Sequence, residues 1–146
     1  MQLPEAFIQQ MKAQLGDEWP AFLKALSNPP PVSIRFNPLK GYKLEENADK
    51  VKWNPEGVYL PKRPVFTLDP SFHAGAYYVQ EASSMFVGEA VRQLAGVDKP
   101  VRALDLCAAP GGKSTLLLSA LPPGSLVLAN EVIRSRYQIL RQNLIK

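Results

Sequence analysis

The sequence predicts an α/β chain: a small α+β module followed by the opening βαβα of a parallel sheet. Three observations predict it. The apolar run 103–108 breaks at Pro110-Gly111-Gly112, and a Leu-rich helical pattern begins at Lys113. Strand, glycine turn and helix in that order is how an open sheet presents backbone N–H groups to a ligand. A second apolar run, 125–129, ends in Asn130-Glu131. That places an acid roughly 20 residues beyond the glycines, where such folds hold ribose hydroxyls. Third, the preceding sequence is proline-punctuated and changes segment type every few residues. The predicted domains are 1–75, an N-terminal α+β module, and 76–146, the start of a Rossmann-like domain.

The elements follow in order. Residues 4–15 read as a helix, with Pro4 in its first turn, Phe7, Met11 and Leu15 four apart, and Gly16 stopping it. A short helix follows Trp19-Pro20, with Phe22, Leu23 and Leu26 apolar, and Asn28-Pro29-Pro30-Pro31 breaks the chain. Residues 32–36 alternate as a half-buried strand does. The polar stretch 41–64 holds strand candidates at 51–53 and 57–60. Ser83 or Ser84 caps a helix running to Leu94, with Val87, Val91 and Leu94 inward and Gly96 ending it. Strand 102–107, helix 113–121, the turn Pro122-Pro-Gly124, strand 125–130 and a helix from 132 complete the pattern. Ile133, Tyr137, Leu140 and Leu144 form the last helix's apolar stripe, which runs unbroken toward Lys146.

Composition narrows the classes. A net charge of +4 permits RNA contact without demanding it. No apolar run reaches the length of a membrane span, and the N-terminus lacks a basic-then-apolar signal pattern. One cysteine and one histidine offer neither an internal disulfide nor a zinc site. The expectation is a cytoplasmic monomer with no membrane partner and no metal.

Two nucleotide motifs fail at a required glycine. A P-loop would end at Gly112-Lys113-Ser114, but its first glycine falls on Cys107. Residues 109–112 also do not supply the Gly-x-Gly-x-x-Gly of a dinucleotide site. A short, apolar loop that wraps no phosphate suits S-adenosylmethionine instead. Gly111 and Gly112 let backbone approach such a ligand without a Cβ. The helix dipole at Lys113 favours the ligand carboxylate over the lysine, so Lys113 is expected to serve Asp105 or to extend into solvent. Glu131 accepts from ribose hydroxyls.

Leu104-Asp-Leu-Cys-Ala-Ala-Pro-Gly-Gly-Lys-Ser114 resembles the cofactor motif of the NOL1/NOP2/Sun family of RNA cytosine-5 methyltransferases. Gly75-Ala-Tyr-Tyr-Val-Gln-Glu-Ala-Ser-Ser-Met85 resembles that family's upstream motif, and Val32-Ser-Ile-Arg-Phe-Asn-Pro-Leu-Lys40 its N-terminal strand. Leu3 to Leu26, with Trp19-Pro-Ala-Phe22, is most similar to the bacterial ribosomal-RNA members. The resemblance covers nearly the whole chain. It implies an S-adenosylmethionine-dependent RNA cytosine-5 methyltransferase. Ribosomal RNA is the preferred partner and transfer RNA the second. Cys107, Ala108, Ala109, Pro110, Gly111, Gly112, Lys113 and Glu131 would be its cofactor residues.

In that family a thiolate adds to carbon 6 of cytosine, carbon 5 takes the methyl group, and a base then removes the carbon 5 proton, which is covalent catalysis. The target base is unstacked to reach the pocket. The cysteines that do this lie in motifs beyond Lys146, and members build a wider sheet, so the 146 residues are expected to be catalytically incomplete. Cys107 sits inside the expected first strand and reads as a small buried hydrophobe lining the pocket, not as a nucleophile.

The remaining candidates have plainer readings. Tyr77, Tyr78 and Phe72 are expected in the core rather than stacked on bases. Gln80 is either a domain-interface hydrogen bond or a substrate contact. His73 has no partner at ligand spacing and reads as structural. Arg35, Lys40, Lys43, Lys50, Lys52, Lys62 and Arg63 are either RNA-facing or a solvated surface mixed with Glu45, Glu46 and Asp49. Arg134, Arg136 and Arg141 are expected to face solvent. The alternatives to an enzyme of this family are a non-enzymatic RNA-binding module and a P-loop-like NTPase.

Overall fold

A computed structural model of the chain describes residues 3–41, 47–95 and 99–146. Lys43, Glu45, Glu46 and Gly96 lie outside the described residues. The chain forms two compact units, Met1–Pro31 and Val32–Lys146.

The first unit is helical. Helix α1, Glu5–Leu15, starts behind Pro4, whose missing N–H costs nothing at that position, and ends on Gly16 at φ +51°. A single 3₁₀ turn leads into α2, Trp19–Ser27, with Pro20 in its first turn. Trp19 is buried and packs its ring obliquely against Phe22.

The second unit opens with a three-stranded antiparallel sheet. Strand β1, Val32–Phe36, lies between β2, Gly57–Leu60, and β3, Tyr77–Val79. Ile34 stands opposite Val58 and Val79, and Phe36 opposite Tyr77. Ile34, Phe36, Val58, Tyr77 and Phe66 make the first core cluster, and Val79 and Phe72 pack on it. Tyr77 is therefore a core residue, as expected, while Phe72 and Tyr78 are half-buried. A short helix α3, Pro70–His73, capped by Asp69, precedes β3. Both α3 and β3 are too short to carry a readable period in the sequence.

Behind the other face of that sheet runs α4, Ala82–Ala95. Met85 is fully buried with Val51 and Ala82, and a Cβ on Gly57 would come 2.7 Å from its sulfur. Neither Ser83 nor Ser84 caps α4, because the helix already starts at Ala82; Ser83 bonds the Glu81 carboxylate instead. Leu94, expected inward, is exposed. The expected strand at 51–53 is a turn. Val51 N–H donates to the Gly57 carbonyl, and only Lys50 bridges to Val58.

The parallel part is β4, Arg102–Asp105, then α5, Gly112–Ala120, then β5, Leu126–Ala129, with Leu104 beside Leu128. This is the βαβ unit of a Rossmann-like sheet, closed by α6, Arg134–Leu144. The first strand is expected to be buried, yet Leu104 and Leu106 are exposed, as are Leu126 and Leu128 of the second run, because the helices cover only the face of the alternate residues. Of the α6 stripe, Leu140 is buried with Ala108 and Ala109, whereas Ile133 and Tyr137 are exposed. The helix ends at Leu144, not at Lys146.

Candidate functional site

The Asp105 carboxylate ends β4. One oxygen accepts the Cys107 N–H at 3.3 Å, bending the chain out of the strand two residues earlier than expected. Cys107 is consequently exposed in a turn and not a buried strand residue. The other oxygen accepts the hydroxyl of fully buried Ser114 at 2.7 Å. Asp105 therefore works with Ser114, while Lys113 extends into solvent. In a P-loop that hydroxyl would be needed for magnesium; here it is committed to holding strand and helix together.

Between Asp105 and Ser114 the loop is stitched on three sides. At the β5 side, the Asn130 N–H donates to the Asp105 carbonyl at 2.8 Å, the Asn130 carbonyl accepts the Ala108 N–H at 2.9 Å, and the Asn130 side-chain amide donates to the Leu106 carbonyl. At the α6 side, Arg136 donates to the Ala109 carbonyl at 2.9 Å and Asn143 to the Pro110 carbonyl at 2.8 Å. At the α5 side, the Gly111 carbonyl accepts the Thr115 N–H. With its carbonyls drawn into the protein, the loop leads straight to the first-turn N–H groups of α5, which have no partner within the helix.

Geometry requires a glycine at 111 and favours one at 112. Gly111 holds φ +112°, and a Cβ there would lie 3.4 Å from Asn143 and Leu140. A Cβ on Gly112 would come 3.2 Å from the Tyr78 ring and 3.5 Å from the Gln80 amide. A cavity of about 200 Å³ opens beside them, lined by Tyr78–Glu81, Ser84, Cys107–Pro110, Gly112 and Lys113. Seven of the eight expected cofactor residues thus lie on one loop, and Cys107, Ala108, Ala109, Pro110, Gly112 and Lys113 line this cavity.

Glu131, the eighth, is joined to the loop through Arg136, whose guanidinium stands 3.5 Å from its carboxylate while also binding Ala109. Arg136 is exposed, as expected, and also makes these two contacts. Glu131 also accepts the Ile133 N–H at 2.9 Å, and its side chain is only 4% exposed. Each carboxylate oxygen keeps acceptor capacity. Glu131 is not among the residues lining the cavity.

Arg35 corrects the expected basic surface. It is 3% exposed, with its guanidinium on Gln80, Ser119, Gly112 and Thr115. Burial pushes its pKa down to about 10, against the opposing pull of Glu56 and Tyr78. Lys40, Lys50, Lys52, Lys62 and Arg63 remain exposed. The Gln80 amide donates to the Gly112 carbonyl at 3.2 Å while its oxygen accepts from Arg35. His73 bonds the Thr67 carbonyl, and among the described residues no three His, Cys, Asp or Glu side chains are grouped to hold a metal.

Residues 3–82 match the N-terminal domain of 16S rRNA methyltransferase RsmF, and residues 93–146 match 16S rRNA methyltransferase RsmB/F. The chain belongs to the RsmF family. Curated relatives of this RsmF-family chain include the ribosomal RNA small subunit methyltransferase F of Erwinia tasmaniensis, 33% identical over 97% of the chain and 32% of the relative. That of Cronobacter sakazakii is 32% identical with the same coverage. The chain therefore spans about a third of the length of the curated relatives it matches. Among solved structures, a methyltransferase homolog protein from Pyrococcus horikoshii aligns with TM-score 0.67 and 26% identity, over 98% of this chain and 53% of that one. The structure of the protein PH0851 aligns with TM-score 0.79 and 26% identity, over 97% of this chain and 33% of that one. The cavity of the RsmF-family chain thus sits on the segment matched by RsmB/F and on the end of the RsmF N-terminal match.

Proposed function

We propose that these residues form the RNA-binding and cofactor-binding part of a cytoplasmic, S-adenosylmethionine-dependent cytosine-5 methyltransferase acting on ribosomal RNA. Residues 1–75 supply RNA contacts and 76–146 the cofactor loop. The observation that carries the reading is the glycine cradle: two consecutive glycines, one at φ +112° and one against Tyr78, beside a cavity at the N-terminus of α5. That cradle fits S-adenosylmethionine, because it offers close backbone approach and helix N–H groups without the long phosphate wrap of a P-loop.

When bound, S-adenosylmethionine supplies an electrophilic methyl group. The chain's own residues do the holding. The α5 N-terminus receives the ligand carboxylate, residues 107–110 wall the apolar side, and Glu131 takes the ribose hydroxyls. Cys107 is hydrogen-bonded only through its backbone to Asp105 and serves as wall, not nucleophile. We therefore infer that the 146 residues bind cofactor without methylating RNA.

Titration calorimetry of the chain with S-adenosylmethionine, and separately with ATP and magnesium, tests the reading. Binding of the first and not the second is expected; the reverse would overturn it in favour of an NTPase. Cytosine-5 chemistry is tested in the cell, by mass spectrometry of the nucleosides of small-subunit RNA with and without the gene. A methyl group on any other atom would sink that part.

A further inference from the structure

We infer that Arg35 and Gln80 are positioning residues that set the cofactor loop from the antiparallel sheet. The inference rests on the cofactor reading of the loop.

The two residues form one chain of bonds from β1 to the first turn of α5. Ser33 and Gln80 are tied through both backbone and side chain: the Ser33 hydroxyl donates to the Gln80 carbonyl at 2.6 Å, and Gln80 N–H donates to the Ser33 carbonyl at 3.3 Å. This pins the backbone of Gln80 to the strand. Arg35 Nε then donates to the Gln80 side-chain oxygen at 2.9 Å, which fixes the orientation of the amide. The amide nitrogen is thereby turned onto the Gly112 carbonyl at 3.2 Å. The guanidinium itself reaches Thr115 at 2.7 Å, Ser119 at 3.2 Å and Gly112 at 3.4 Å, one face of α5 over two turns.

A cation is an expensive way to pack a helix. Arg35 is almost fully buried, and among the described residues neither ion pair includes it. All four acceptors it touches are neutral. An apolar side chain of similar volume would fill the space without the desolvation cost. What the guanidinium adds is direction: rigid donors fanned across Gln80, Gly112, Thr115 and Ser119 fix both the rotation of α5 and its displacement along its axis. A Cβ on Gly112 would press on the Tyr78 ring at 3.2 Å, so a small displacement there changes the cradle.

The test uses the whole chain and Gln80→Glu. That substitution keeps the acceptor for Arg35, and adds a countercharge, but removes the donor to Gly112. The thermal midpoint should hold or rise. Affinity for S-adenosylhomocysteine should fall about tenfold, the scale of losing a buried hydrogen bond and gaining a repelling oxygen pair. Amide exchange at 111–116, measured without ligand, should speed up. Thr115→Val should weaken affinity in the same way, and Thr115→Ser, which keeps the hydroxyl, should restore it. Unchanged exchange and unchanged affinity in Gln80→Glu would overturn the inference. A native chain that binds no cofactor would instead remove the reading of the site, while the exchange measurement still decides the coupling.

Discussion

Gly111 is the residue on which the cofactor reading turns. At φ +112° any side chain is strained, by about 1–3 kcal/mol, and the space a Cβ would take is bordered by Leu140 and Asn143. Gly111→Val should cost more than about tenfold in S-adenosylmethionine affinity, measured by calorimetry. Normal affinity would show that the loop is not the binding element. Cys107 gives the opposite expectation. Exposed and bonded only through its N–H, it should tolerate Cys107→Ala with affinity changed by no more than about twofold. The contrast also shows what single residues disclosed. The glycines were legible in sequence because a strand and a helix cannot be joined that abruptly otherwise. Cys107 was misplaced because an apolar run does not reveal that Asp105 folds back on the chain and stops the strand. Arg35 was illegible: its partners lie 45 to 84 positions away, and an arginine alternating with apolar residues reads as the wet face of a strand.

Among the elements, α4 and the corner before β3 carry measurable consequences. Met85 locks α4 to the sheet through Val51 and Ala82, so Met85→Ala should destabilise the chain by about 2–5 kcal/mol in denaturant unfolding, with Gly57 and Val51 lining the void. A neutral result would mean that α4 is held elsewhere. At the corner, Asp69 caps α3 through Ser71 and accepts the Tyr77 hydroxyl at 2.6 Å. The Tyr77 bond, then the Ser71 N–H, hold its pKa below the ordinary 3.8. A carboxyl held low in the folded state stabilises the protein when ionised, so this contribution is present at neutral pH and is lost as pH falls below 3.8 toward the folded value. Tyr77→Phe should therefore be less stable than the native chain at neutral pH, and the gap should close in acid. A gap independent of pH would assign the loss to packing. Long elements with clear periods, such as α1, α4 and α6, were readable from sequence to within two residues. The three-residue β3 was not, since its identity comes from pairing with β1 and not from any local pattern.

Across the molecule, the apolar surface is unevenly covered. Leu104 and Leu128 stand side by side on the open face of the parallel pair, with Leu106 and Leu126 also exposed. A patch of that kind favours association. The chain should bind a hydrophobic dye and scatter light increasingly with concentration, and the double substitution Leu126→Glu, Leu128→Glu should suppress both. A native chain that stays monomeric and dye-free at high concentration would show this face to be covered in solution.

Asn130 has a consequence for how a ligand is received. Its backbone and side chain close three hydrogen bonds onto Asp105, Leu106 and Ala108, and Arg136 and Asn143 hold the next two carbonyls. A loop so tethered has already surrendered its conformational entropy during folding. An incoming ligand meets a mould already set, and little of its binding free energy is spent on ordering the protein around it.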